Sequence, residues 1–235
     1  MLLPTDKLWL DYSKHILKWE GKTSADPNDP AAKCNPGKMH TNKGVTFCTF
    51  KTYAAALGVL PVTYDRFLNL SDADQAKFAY RFYKDVQGDK LPDKVALCMH
   101  NAKWGSGSRY QKELIQGLKN LGITAKDYAD AINKVNQVDT NKLVDELVKI
   151  RENWFRYLAS SNPGKFKRYL KGWLNRLNDF KNSFIYTVIQ QVQQAAQTAA
   201  QTVTTAAQNV KKNSSLILIL LVIAGGFIVY KQLKK

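Results

Sequence analysis

Histidine and cysteine are scarce, three of each in 235 residues. Cys34, Cys48 and Cys98 form an odd set and make no disulfide framework. Joined with His40 and His100 they match no zinc-ligand spacing, so they read as free cysteines and surface histidines, and neither a metal nor a cofactor is expected. A single Cys34–Cys48 bridge stays open for a domain working in an oxidising compartment. The segment from Met1 to Lys7 lacks a charged stretch followed by a long apolar run, so no cleavable signal peptide is expected. Acidic residues are few as well: 19 against 35 Lys and Arg, a formal charge of +16. That excess implies a polyanionic partner, whether nucleic acid, anionic lipid or a bacterial envelope polymer. Lys and Arg are spread along helical patterns rather than massed in a basic arm, so no dedicated nucleic-acid binding is expected. Alternation is missing too: no period-2 apolar stretch is long enough for a real sheet.

Helical periodicity takes its place. Thr5 can cap a helix over 5–19 in which Leu8, Tyr12, Ile16 and Trp19 share a face, and Gly21 supplies a stop. Pro27, Pro30 and Pro36 lie among Asn, Asp, Gly and Lys in 22–48, which reads as a loop with a short hairpin near 45–47. Ser71-Asp72-Ala73-Asp74 is a helix start before Phe78, Ala79, Phe82 and Tyr83. Further helices fit 93–103, 108–121, 125–135, 139–160 and 164–180. The fold class is mainly α: a helical domain over 1–181 with a short irregular or β loop region.

Composition then changes. Residues 182–210 hold no charge and are dominated by Gln, Ala, Thr and Val. Val188, Val192, Ala196, Ala199, Val203, Ala206 and Val210 form a weak seam, and Ala and Gln propagate helices, so a helical stalk is expected in preference to a disordered linker. Residues 216–230 are uncharged and almost wholly apolar. Extended by Ser214 and Ser215, the run would span about 25 Å as a helix, near the lower limit for a bilayer. Lys211 and Lys212 flank one end and Lys231, Lys234 and Lys235 the other. A single transmembrane helix within 211–235, contacting the bilayer through 214–230, is expected.

Glycosidic bond cleavage needs two carboxyl groups in different surroundings, one protonated as the acid and one ionised. Trp19-Glu20-Gly21 puts Glu20 at the end of the first helix, where the macrodipole is negative, beside an apolar face. Both effects disfavour the charged form, as a general acid requires. Asp29 is the candidate second carboxylate and Asp26 its rival, although both also suit turns beside Pro27 and Pro30. Thr41 or Thr46 can hold the attacking water through its hydroxyl, and Thr is equally at home in a hairpin. Asn101 and Trp104 can bind sugar acetamides or stack on a sugar face, or simply fill the core. Trp173 and Arg176 read as packing the last helix against the core. Residues 151–181 carry eight basic and two acidic residues, a face that suits anionic wall polymer or plain solvent.

In that order, Glu20-Gly21, Asn28-Asp29-Pro30 and Thr41-Asn42-Lys43-Gly44-Val45-Thr46 resemble glycoside hydrolase family 108, the phage and secretion-activator N-acetylmuramidases. His100-Asn101-Ala102-Lys103-Trp104-Gly105 is similar to that family's Asn-containing helix. Arg151 through Phe155, with Lys171-Gly172-Trp173-Leu174-Asn175-Arg176, is similar to its C-terminal elements. The resemblance implies a lysozyme-like helical fold, cleavage of the muramic acid–glucosamine bond of peptidoglycan, and Glu20 as the catalytic glutamate. Asp29 stands nine residues further on, similar to the second Asp of phage-type lysozymes. The chain departs from the family at Lys22-Thr23, where Gly-Tyr is usual, and by an insertion through His40 before Thr41.

The expected protein is a membrane-anchored peptidoglycan hydrolase: a virion-associated lysin of a phage whose virion contains a membrane, or a lytic protein of a bacterial inner membrane. Its partners would be peptidoglycan, the bilayer, and virion or membrane proteins. The rivals are a lytic transglycosylase using Glu20 alone, an inactive membrane-tethered adaptor with a lysozyme fold, and a nucleic-acid binder.

Overall fold

The computed structural model describes residues 2–20, 23–186, 201–202, 221–222 and 228–229. Contacts divide the chain into two units, Met1–Lys181 and Asn182–Lys235. In the first unit, helix α1 spans Lys7–Trp19 and buries Trp9, Tyr12 and Ile16. Asp6 rather than Thr5 takes its N-cap position, and the Asp6 carboxylate accepts from the Leu3 N–H at 2.7 Å, closing the turn before the helix.

Three short antiparallel strands follow: β1 (Thr23–Ser24), β2 (Thr41–Asn42) and β3 (Val45–Thr46), in the order β1-β2-β3. Thr41 faces Thr46 and Asn42 faces Val45 across the hairpin. Lys43 and Gly44 both have positive φ, +49° and +77°, the signature of a tight type I′ turn. The hairpin is anchored from below by Asn42, whose side-chain amide donates to the carbonyls of Phe67 and Leu68 at 2.8 and 3.0 Å. Those carbonyls end α3 (Tyr64–Leu68), where they have no partner within the helix. Val45 thereby enters a cluster with Phe50, Phe67 and Phe78. Cys34, at the end of a 3₁₀ turn over Pro30–Cys34, is bridged to Cys48 in α2 (Phe47–Tyr53), so the bridge left open by the sequence is made.

α4 (Asp72–Asp85) starts with the Ser71–Asp74 capping box that the sequence promised. α5 (Asp93–Ser106) is buried continuously from Val95 to Ala102, as befits a helix surrounded by others. It packs against α4, α6 (Arg109–Asn120) and α8 (Thr140–Ser161), while α7 (Tyr128–Lys134) rests on α6 and α9 (Pro163–Phe180) lies along α8. His100 is a core residue rather than a surface one. Its Nε2 donates to the Ala79 carbonyl, which leaves Nδ1 to accept from the Tyr12 hydroxyl, both at 2.9 Å. Burial lowers this histidine to about 3, so the ring stays neutral. The Arg151–Glu113 ion pair is also buried, 2.9 Å long, and joins α8 to α6.

The tail differs from expectation. Among the described residues no helix is long and apolar enough to cross a membrane. Inside the apolar run, β4 (Leu221–Val222) pairs antiparallel with β5 (Ile228–Val229). A single-pass anchor therefore does not hold, and the argument for a bilayer contact and for a place in a virion or inner membrane goes with it. Val and Ile favour strands, and Gly225-Gly226 between the two segments is a hairpin signal in sequence, so hydropathy alone misled. Most of the stalk expected over 182–210 lies outside the described residues; Lys181–Tyr186 forms a π-helical turn, and residues 201–202 are helical.

Candidate active site

A cleft of about 1000 Å³ is walled by the β2–β3 hairpin and the loop before it on one side and by α5, α8 and α9 on the other. Glu20, Asp29, Thr41, Thr46, Asn101 and Trp104, the six residues singled out from sequence, all line it.

Glu20 is the C-cap of α1, its own N–H bonded to the Ile16 carbonyl. Its side chain is only 16% exposed. Oε1 accepts from the Trp104 indole N–H at 2.7 Å and is ion-paired with Arg176 of α9. The hairpin turn closes the third side: a Cβ on Gly44 would lie 2.7 Å from Oε2. The carboxylate is thus met by an indole N–H, a guanidinium and bare backbone, not by the apolar face that the helix pattern suggested. Trp104 in turn stacks on the His100 ring at 5.8 Å and meets Phe82 edge-on. Its ring is fixed by packing, and its N–H is what it offers the cleft.

Asp29 caps the 3₁₀ turn. Its Oδ1 accepts from the Ala31 N–H at 2.8 Å, while Oδ2 faces His40 Nε2 at 3.6 Å. Asp26 is engaged by α9: it accepts from the Tyr169 hydroxyl at 2.6 Å and from Arg168 at 2.9 Å, besides the Asn28 N–H. The Tyr169 hydrogen bond, then that of Asn28, brings Asp26 down to about 2. Thr46 spends its hydroxyl as the N-cap of α2, accepting from the Thr49 N–H. The Thr41 hydroxyl is buried with no hydrogen-bond partner among the described residues, which leaves it for a water or a substrate. Asn101 is 7% exposed, beside the Tyr12 hydroxyl.

Trp173 and Arg176 do not simply close the core, as the sequence suggested; both line the cleft. Trp173 stacks on Tyr169 at 5.7 Å and tilts against Phe155 at 5.3 Å, and Phe166 and Trp154 extend this aromatic wall. Arg109 lies 3.6 Å over the Trp154 ring. A signal for the wall was present: Phe166, Tyr169, Trp173 and Arg176 recur at steps of 3, 4 and 3, one face of a helix.

A rigidly held carboxyl, an acidic loop opposite, a spare hydroxyl and an aromatic wall are the parts of a glycan-cleaving site. Residues 13–107, which contain all six residues named above, match the family model described as Glycosyl hydrolase 108. The chain is a glycoside hydrolase of the muramidase type. Its fold is similar to SagA of Brucella abortus, with a TM-score of 0.55 and 23% identity over 74% of this chain and 91% of that one. At that identity the likeness concerns the fold. No curated protein matches the chain.

Proposed function

We propose that this chain is an N-acetylmuramidase that hydrolyses the glycan strand of peptidoglycan, with Glu20 as its acid. The observation that carries the reading is the place of the Glu20 carboxyl, which lines the cleft within the segment that matches the glycosyl hydrolase model and is held there by the Trp104 N–H. Glu20 gives its proton to the glycosidic oxygen as the C1–O bond breaks and the bonding pair passes to that oxygen. Asp29, held by its capping hydrogen bond, faces the positive charge that develops at C1. Water held by the Thr41 hydroxyl adds to C1 and loses its proton to a carboxylate of the cleft. Asn101 and the aromatic wall of α8 and α9 hold the sugar rings, and Lys33, Arg109 and Lys112 give the cleft a cationic edge suited to an anionic polymer. The Cys34–Cys48 bridge suits work in an oxidising, envelope-side compartment.

One observation favours a second reading. Asp26 ties the loop to Tyr169 and Arg168 and Asp29 caps the 3₁₀ turn, so both carry structural bonds and Glu20 can be the single catalytic carboxyl. Acting alone, it would make the site a lytic transglycosylase, in which the sugar's own hydroxyl replaces water. Mass spectrometry of digested peptidoglycan separates the two. Reducing muramic acid ends support hydrolysis, whereas 1,6-anhydro ends overturn it.

A further inference from the structure

We propose that Arg176 is a positioning residue that decides which oxygen of Glu20 carries the transferable proton, an inference that rests on the reading of Glu20 as the acid. Oε1 meets two groups that only donate, the Trp104 indole N–H at 2.7 Å and the Arg176 guanidinium. A guanidinium offers N–H donors in a planar fork and has no lone pair to receive a carboxyl proton. A proton on Oε1 would point at N–H groups, so Oε1 is fixed as the acceptor and the proton rides on Oε2.

Oε2 lies against Gly44, where the absent Cβ would stand 2.7 Å away. With no side chain at residue 44, Oε2 keeps its place in the cleft that Glu20 and Gly44 both line, and it is the oxygen left to carry a proton to the glycosidic oxygen. Once the proton has left, the carboxylate is an anion, and its pairing with Arg176 strengthens as that charge forms. An interaction that grows towards the transition state raises the rate rather than substrate affinity. Arg176 belongs to α9, far along the chain from the matched segment 13–107, so the acid is completed by a helix from the other end of the domain.

The test uses full-length Arg176→Ala and Arg176→Lys on purified peptidoglycan, together with the ¹⁵N signal of the Trp104 indole N–H read without substrate. Arg176→Ala should lower kcat by about 10²-fold, the scale of losing one preorganised donor, with KM little changed. Guanidinium ion at non-denaturing concentration should restore part of that loss, and Arg176→Lys should fall between. The Trp104 indole signal should shift and exchange faster with solvent in Arg176→Ala, while that of Trp19, bonded to Asp179, stays put. The proposal is overturned by an unchanged or raised kcat, by a loss that only tracks the unfolded fraction, by absent guanidinium rescue, or by an unmoved Trp104 signal. A wild-type chain inactive on peptidoglycan, with the indole signal still responding, would defeat the muramidase reading and leave the carboxyl clamp standing.

Discussion

The indole N–H of Trp104 reaches the Glu20 carboxylate across 84 residues of sequence, joining the buried α5 to the C-terminal end of α1. The same ring is seated on His100, whose two nitrogens are both bonded in the core. A chain of packed groups thus runs from the centre of the domain to the acid, and the acid's orientation inherits the core's rigidity.

Trp104→Phe keeps the stacking surface and removes the donor. A hydrogen bond to a charged group contributes about 1.5–3 kcal/mol, so hydrolysis should slow by roughly 10- to 100-fold. Steady-state rates on peptidoglycan, compared with the melting temperature, check this; the rate should fall far more than the stability.

Gly44→Ala meets two obstacles. At φ +77° a side chain costs roughly 1–2 kcal/mol of backbone strain. The new Cβ also falls 2.7 Å from the Glu20 carboxyl and displaces it. Activity should drop by about 10²-fold, since small misplacements of a reacting group cost that much. A crystal structure of the variant should show Glu20 turned from its place beside Trp104.

Asp26 links the loop to α9, and its carboxyl is depressed to about 2 by Tyr169 first. A group depressed on folding contributes stability that is fully present above its ordinary value, 3.8, and is lost as pH falls through about 2. Melting curves of the wild type should therefore steepen their decline between those values. Tyr169→Phe should flatten that decline while leaving the curve near pH 7 parallel to the wild type.

The Cys34–Cys48 bridge joins positions 14 apart in the chain on the rim of the cleft. Its removal in the Cys34→Ser, Cys48→Ser double variant should cost about 3 kcal/mol, the scale for a loop of that length. Thermal unfolding with and without reductant checks this: reductant should destabilise the wild type and leave the double variant unchanged.

The helices were legible because their apolar periods and caps are local: Ser71–Asp74 announces α4, and Asp93 and Thr140 open helices where the pattern said. Glu20 was legible for the same reason, as a charged residue closing a helix. Arg176 was not. Its partner lies 156 residues away, and in sequence it reads as packing the last helix against the core. Asp29 shows the opposite difficulty. Asp before Pro30 is a capping signal, so one residue carries a structural duty and a candidate chemical one at once. The apolar run near the end misled because hydropathy does not record pairing, and the strands at Leu221–Val222 and Ile228–Val229 arise from pairing.

The central claim is that Glu20 is the acid of a peptidoglycan hydrolase, and the most direct measurement is the rate of reducing-end release from purified peptidoglycan by wild type and Glu20→Gln. Gln keeps the shape and much of the bonding to Trp104 and Arg176 but has no proton to give. The expected result is release by the wild type and a loss of about 10²–10⁴-fold in Glu20→Gln, with the melting temperature preserved. A Glu20→Gln protein that releases reducing ends as fast as the wild type would contradict it.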